Sequence, residues 1–387
     1  MSEELSYVIV TPYSIRKSRT GGILARLISR TGLDLVGARM FAPGKELTEK
    51  YASLLVTDPE PRHRATQELI RNYVLENFQP GAIRPRVMVL LFKGEDATAK
   101  ILNAVGHIVN ERTSGETIRD TFGDYLTDAE GKVTYFEPAV LVPPDSKTAE
   151  AHLRLWAEYS DTEGGLLTDV VQFAPDANVQ KTLVLIKPDN FRYPNARPGG
   201  VIDVFSRTGL SIIGMKVHRM SVAQAEQFYG PVLEALEERK QEPAGKEARA
   251  AIEKAFGFPL NDTVEKSLGQ LLGPLSARNA WESILKFMAG SAPSECPADQ
   301  RDLPGSEKCI ALVYQGVDAV RKIREVLGPT DPSKAPPGSI RREFGQSMMV
   351  NAAHASDSPE NAAREMGIVQ INDNGFKQII DSAFSSK

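Results

Sequence analysis

The stretch SRTGLDLVG at residues 29–37 returns at 206–214 as SRTGLSIIG, with six of nine positions identical. An internal repeat settles the architecture before any local reading, because each half must then be the same structural unit. The match extends outward on both sides. Gly21-Gly22 answers to Gly199-Gly200, and further upstream YVIVTP (7–12) answers to LVLIKP (183–188). Downstream, Ile118-Arg119 and Phe122-Gly123 answer to Ile340-Arg341 and Phe344-Gly345 at the same internal spacing. The order is the same in both halves, which predicts two copies of one domain joined head to tail. The first copy spans 1–173, APDANVQ (174–180) is a polar linker, and the second copy spans 181–387. The second copy carries two additional segments. Residues 231–277 are charge-rich with helical stretches, and 290–307 are rich in proline and glycine and contain Cys296. Both read either as surface insertions, which loops tolerate at small entropic cost, or as segments with a specific role.

Within each copy strands alternate with helices. YVIVT and TLVLI are short β-branched runs that read as buried strands. Segments 22–31 and 200–208 place apolar residues at helical spacing, and each ends at a glycine suited to a C-cap. LDLVGARM and LSIIGMKV are second strands, and RVMVLLF (86–92) and CIALVYQG (309–316) are third strands, followed by helices at about 96–105 and 317–327. This alternation predicts an α/β sandwich, a sheet covered by helices on one face. Gly199-Gly200 read as a turn entering a helix rather than as a phosphate cradle. No GxxxxGK[ST] occurs, which excludes a P-loop enzyme.

Composition narrows the function. A chain of 387 residues, 41% hydrophobic and 25% charged, fits about two globular domains. A formal net charge of −4 argues against a dedicated nucleic-acid binder, which needs a basic face. The two cysteines, Cys296 and Cys309, give neither a disulfide framework nor a CxxC metal spacing. The start MSEELSYVIV lacks the pattern of a signal peptide, and no run of about 18 apolar residues exists, so the sequence predicts a cytoplasmic protein.

One histidine of five has a setting that suits chemistry. His354 lies in NAAHASDSPENAARE (351–365), after a strand-like stretch and before a helix that starts with Ser358 as N-cap and Pro359 at N1. Glu365 falls two turns into that helix and can reach back to an imidazole nitrogen, which would leave the other nitrogen nucleophilic. A satisfied surface histidine beside an N-cap is the bland alternative. Lys187, Arg324, Thr330, Arg341 and Asn351 fall at strand ends or in loops of the same copy, and cationic forks with a hydroxyl suit a polyphosphate.

On these motifs the second copy resembles the nucleoside diphosphate kinases, across nearly all of 181–387 apart from the two insertions. TLVLIKPD (182–189) resembles the family's first strand with its lysine, GPTDPSKAPPGSIRREF (328–344) its nucleotide-gripping loop, and NAAHASDS (351–358) its active-site signature. The resemblance implies two ferredoxin-like βαββαβ domains in tandem. It also implies γ-phosphate transfer from a nucleoside triphosphate to a nucleoside diphosphate, by a ping-pong route through phosphohistidine at His354. Carried over by position, Glu365 and Ser356 orient the histidine, and Lys187 and Asn351 contact the ribose hydroxyls and the transferring phosphate. Arg324, Thr330 and Arg341 hold phosphates, Tyr229 is the tyrosine near the histidine, and Asp357 lies near the Mg2+ that rides on the nucleotide. Where the family stacks a phenylalanine on the base, this sequence has Ala280 with Trp281 beside it. Nucleoside tri- and diphosphates are the implied partners, with no nucleic acid and no membrane. The family assembles from dimers, so the two copies form an implied intramolecular pseudo-dimer that can assemble further. The rival readings are a non-catalytic nucleotide-binding scaffold and a protein-histidine phosphocarrier.

The first copy lacks this chemistry. Thr11 stands where Lys187 stands, Leu102 opposite Arg324, and an alignment through the following helix puts Val142 opposite His354, while Arg119 matches Arg341 and Tyr51 matches Tyr229. It reads as a pseudo-kinase domain, serving either as a built-in structural partner or as a binder of ligand without turnover.

Overall fold

The computed structural model describes residues 3–81, 84–108 and 115–385. The first copy contains β1 (Glu3–Val10), α1 (Pro12–Arg16), α2 (Thr20–Thr31), β2 (Asp34–Phe41), α3 (Lys45–Ser53), α4 (Pro61–Asn77), β3 (Val87–Glu95), α5 (Ala97–Val105), α6 (Ile118–Phe122), β4 (Asp124–Thr127), β5 (Val133–Glu137), β6 (Val140–Leu141) and α7 (Ser146–Glu158). The second contains β7 (Val179–Ile186), α8 (Arg197–Ser206), β8 (Ser211–His218), α9 (Val222–Phe256), α10 (Asp262–Ala289), β9 (Cys309–Val317), α11 (Ala319–Leu327), α12 (Ile340–Phe344), β10 (Ala353–Ala355), α13 (Pro359–Ile368) and α14 (Gly375–Phe384). Each copy forms one four-stranded sheet of the same topology, β2-β3-β1-β6 and β8-β9-β7-β10. The strands pair antiparallel, with Ile9 opposite Val89 in the first sheet and Leu185 opposite Ala311 in the second. The α/β architecture read from the repeat is therefore present twice. β4 and β5 pair as a separate two-stranded ribbon in the first copy.

The chain divides into two compact units, Met1–Val217 with Ile310–Lys387, and His218–Cys309. In the first unit the repeat motifs turn out to be architectural. Gly21 and Gly199 do not form a turn before the helix; both sit in the first turns of α2 and α8, where the two helices cross at backbone contact. A Cβ on Gly199 would lie 2.3 Å from the Gly21 carbonyl oxygen and from the Ala25 nitrogen, so no larger residue fits. Gly22 and Gly200 make room for the Phe122 and Phe344 rings, which a Cβ would meet at 2.7 and 3.3 Å. Arg19 and Arg197, just ahead of the glycines, donate to the carbonyls of those same phenylalanines. Each Gly-Gly and each Phe-Gly in the sequence is thus half of one interlock. The glycine after α2, Gly32, is a left-handed C-cap as expected, whereas α8 ends at Ser206 with Arg207 as its cap and Gly209 is left-handed two residues further on.

The copies also exchange segments within this unit. Leu167, beyond α7, donates its N–H to the Ile213 carbonyl of β8 at 2.9 Å. In return α14 lays Phe376, Ile380 and Phe384 into the first copy's core, beside Tyr7, Phe41 and Trp156. The Phe376 ring meets Phe41 edge-on at 5.6 Å between centroids.

In the second unit, 231–277 continues two long helices. α9 and α10 pack through Gly245, Gly269 and Gly273, where a Cβ would strike backbone of the facing helix. Arg249 on α9 pairs with Asp262 and Glu265 of α10, both at 2.9 Å. Among the described residues no helix is long and apolar enough to cross a membrane.

Candidate active site

The site is built where the central strand β7 ends against the short edge strand β10. Lys187 is the first residue past β7, and its N–H donates to the Ala352 carbonyl at 2.9 Å. Its ammonium is buried and donates to the Met349 carbonyl (2.6 Å) and to Asn351 Oδ1 (2.9 Å). Desolvation pulls this lysine down to about 8, since burial penalises the charged form. Asn351 in turn donates through Nδ2 to the Thr330 carbonyl (3.1 Å) and the Met348 carbonyl (2.8 Å), tying the strand end to the loop after α11.

His354 is the middle residue of β10, opposite Leu185. Its Nε2 lies 2.9 Å from Glu365 Oε2, and Ser356 Oγ donates to the same oxygen at 2.6 Å. A carboxylate accepts, so Nε2 carries the proton and the lone pair is left on Nδ1. Glu365 is 4% exposed and reaches back from the second turn of α13. That helix begins as read from the sequence, with Ser358 Oγ accepting from the Asn361 N–H at 3.0 Å and Pro359 at N1.

The cations divide into two kinds. The Arg324 guanidinium, on α11, is exposed and makes no hydrogen bond or ion pair among the described residues. Arg341 is committed to backbone, donating to the Gly328 carbonyl (3.0 Å) and the Ala353 carbonyl (3.3 Å). Thr330 is exposed in the loop between them. Asp357 accepts from Asn361 Nδ2 at 2.7 Å, and this bond, with Arg324 and His354 nearby, holds its carboxyl below the usual range. A cavity of about 580 Å³ opens beside the set and is lined by Arg324, Arg321, Asp357, Ser358 and Pro359. It adjoins His354 without containing it, so the hydrogen-bonded cluster locates the chemistry better than the cavity does. Among the described residues no three His, Cys, Asp or Glu side chains are grouped to hold a metal. A single exposed carboxylate suits a magnesium ion carried mainly by phosphates.

Tyr229 and Trp281 belong to the second unit, where Trp281 Nε1 donates to the Tyr229 carbonyl at 2.8 Å. The indole is 6% exposed, so it is held as core in that unit.

The family model described as Nucleoside diphosphate kinase matches residues 180–240 and 302–374, stepping over most of α9–α10. The nucleoside diphosphate kinase of Staphylothermus marinus is 29% identical over 204 residues, 53% of this chain and 99% of that protein. That of Chlamydia muridarum is 30% identical over 188 residues, 49% of this chain and 90% of the relative. The chain belongs to the nucleoside diphosphate kinase family. It is accordingly a phosphotransferase acting on nucleotides. A solved NDP kinase from Pyrobaculum aerophilum is 27% identical, covering 49% of this chain and 94% of that one with a TM-score of 0.32.

Strand register shows what the first copy puts at each kinase-family position. Thr11 follows β1 as Lys187 follows β7, and their N–H groups bond to Ala139 and Ala352, both with positive φ. Leu141 then pairs with Ile9 as His354 pairs with Leu185. Leu141, not Val142, stands opposite the histidine. The N-cap of α7 is Asp145, the counterpart of Ser358, and counting back from these caps gives the same pairing of Leu141 with His354. Counting from the true caps, His152 stands opposite Glu365 and Pro143 opposite Ser356. Tyr51 also moves. Buried positions 48, 51 and 52 of α3 match 225, 228 and 229 of α9, so Tyr51 answers Phe228 and Ala52 answers Tyr229.

The space is filled by other chemistry. Thr11 Oγ1 (2.8 Å) and the Tyr73 hydroxyl (2.7 Å) donate to Glu137, whose burial pushes its carboxyl up. His152 accepts from the Tyr7 hydroxyl at Nδ1 (2.6 Å) and donates from Nε2 to the Leu54 carbonyl (3.3 Å). Arg119 keeps the architectural part of what Arg341 does. It bonds the carbonyls of Gly106 and Val140 as Arg341 bonds those of Gly328 and Ala353.

Proposed function

We propose that the second copy transfers the γ-phosphate of a nucleoside triphosphate to a nucleoside diphosphate through phosphohistidine at His354. The observation that carries this is the double hydrogen bond on Glu365 Oε2, from His354 Nε2 and Ser356, which fixes the tautomer with the lone pair on Nδ1. Nδ1 attacks the γ-phosphorus in line. A P–N bond forms, the bond to the β,γ-bridging oxygen breaks, and the diphosphate leaves with that electron pair. A second diphosphate reverses the step, giving ping-pong kinetics. Lys187 and Asn351 would meet the ribose hydroxyls and transferring phosphate, with Arg324, Thr330 and Arg341 on the other phosphates. Arg341 is fixed in place by its bonds to two backbone carbonyls. Asp357 would face a magnesium ion carried by the nucleotide, which would supply neutralisation of the phosphate charge.

The first copy is proposed to be structural, its boundaries 1–173, with 174–180 joining it to the catalytic copy at 181–387. Replacement of histidine by Leu141 and of asparagine by Pro138, with Glu137 and Tyr73 closing the space, supports this reading. The α2–α8 crossing and the exchange of Leu167 and α14 support an intramolecular pseudo-dimer. The reaction proposed here is one of the cytoplasm.

Phosphoenzyme formation tests the proposal. With γ-labelled ATP and magnesium, quenched in alkali, label is expected that is acid-labile, absent in His354→Ala and discharged by GDP. No label on folded protein would leave a nucleotide-binding scaffold. Label that GDP cannot discharge would point to a protein phosphocarrier.

A further inference from the structure

The internal repeat sorts side chains within one molecule: what both copies keep is architecture, and what the second alone carries is a candidate for function. The Gly-Gly, Phe-Gly and arginine interlocks are kept. One polar chain along α13 is not, and the family comparison assigns it nothing. Asn361 Nδ2 donates to Asp357 Oδ1 at 2.7 Å, one helical turn back. Asn361 Oδ1 accepts from Arg364 Nε at 3.4 Å, and Arg364 Nη2 lies 3.5 Å from Glu365 Oε1. Oε2 of that same carboxylate holds Ser356 and His354. In the first copy, counting from the N-caps, Thr148 replaces Asn361, Ala151 replaces Arg364 and Pro144 replaces Asp357. The whole chain is lost there together.

We propose that Asn361 is a positioning residue: its amide fixes the Asp357 carboxylate on one side and, through Arg364, the Glu365 carboxylate on the other. The group facing the phosphate-borne magnesium and the group behind the histidine are then set as one unit. Asn361 suits this because it donates to a carboxylate and accepts from a guanidinium at once, which neither alanine nor an ionised aspartate can do. Asn361→Ala frees both, and Asn361→Asp adds a repelling charge beside Asp357. The inference rests on the kinase reading for its relevance to turnover.

The test uses the full chain with ADP as the probe, titrated calorimetrically with magnesium and again with chelator. Asn361→Ala is expected to weaken ADP binding on the order of tenfold with magnesium, the scale of one charge-assisted hydrogen bond, and to leave binding under chelator unchanged. The magnesium concentration giving half-maximal rate rises and kcat falls. In an Asp357→Ala background most of this effect disappears, because the partner is already gone. Asn361→Leu, which keeps the side-chain bulk and can neither donate nor accept, gives the same readings if the alanine variant does not fold. Unchanged magnesium dependence, or an equal loss with and without Asp357, overturns the proposal. A wild type that binds magnesium-ADP but forms no phosphohistidine would instead sink the kinase reading, and the titration distinguishes the two.

Discussion

Gly199→Ala tests the packing that joins the two copies. The added Cβ would lie 2.3 Å from two backbone atoms of α2, the Gly21 oxygen and the Ala25 nitrogen. Ordinary contact begins at 3.4 Å, so α2 and α8 must separate by about 1 Å, and no side chain can rotate aside to spare them. Alanine gains about 1 kcal/mol over glycine in helix propensity, which works against the effect. Overpacking typically costs about 1–3 kcal/mol, more when the obstacle is backbone, and the separation also loosens the Phe344 and Arg197 interlock. A net destabilisation of about 2 kcal/mol is expected, which for a unit of this size lowers the melting temperature by roughly 3 °C. Thermal melts followed by near-ultraviolet circular dichroism give the measurement. Gly367→Ala is the control, since that helical glycine has nothing within 4 Å and should show only the propensity gain. If Gly199→Ala melts at or above the wild type, as the control does, the helices do not cross at backbone contact.

Four further outcomes are expected. Raising pH through about 8 discharges buried Lys187, so the KM for magnesium-ATP should climb there; a KM flat to about pH 9.5 would mean that the ammonium is not used in binding. His152 is held neutral by burial, its folded value below the unfolded one of about 6.5, so its contribution is complete above that pH and erodes as pH falls through it. Denaturant melts of His152→Gln should therefore lose the pH dependence that the wild type shows below about pH 6.5. Leu141→His in a His354→Ala background should acquire no alkali-stable label, because Thr11, Pro138 and His152 occupy the positions a nucleophile would need supported. Phe376→Ala should cost about 3 kcal/mol in melts, although residue 376 lies in the second copy's sequence, since its ring fills the first copy's core.

The sequence by itself determined the repeat, the order of strands and helices in each copy, and the cluster around His354. These rest on local signals. Alternating β-branched runs mark strands, Ser358-Pro359 marks a helix start, and seven residues from cap to Glu365 bring the carboxylate back over the strand end. Asn361 was equally legible at four residues from Asp357, but a polar residue in a first turn gives no reason to single it out. What only the tertiary structure decided is which residues correspond and what the shared ones do. A strand's register is set by bonds to a distant strand, so a slip of one residue, Val142 for Leu141, leaves no mark on local composition. Arg119 looks like a surviving phosphate ligand, and only the fold shows that its guanidinium also ties together two carbonyls from elsewhere in the chain. Trp281 looks like an available ring, and burial within its own helical unit is a property of packing that sequence spacing does not carry. The paired glycines mark a helix start in either reading. That they exist so that two helices nearly 180 residues apart can touch backbone to backbone follows from the close approach alone.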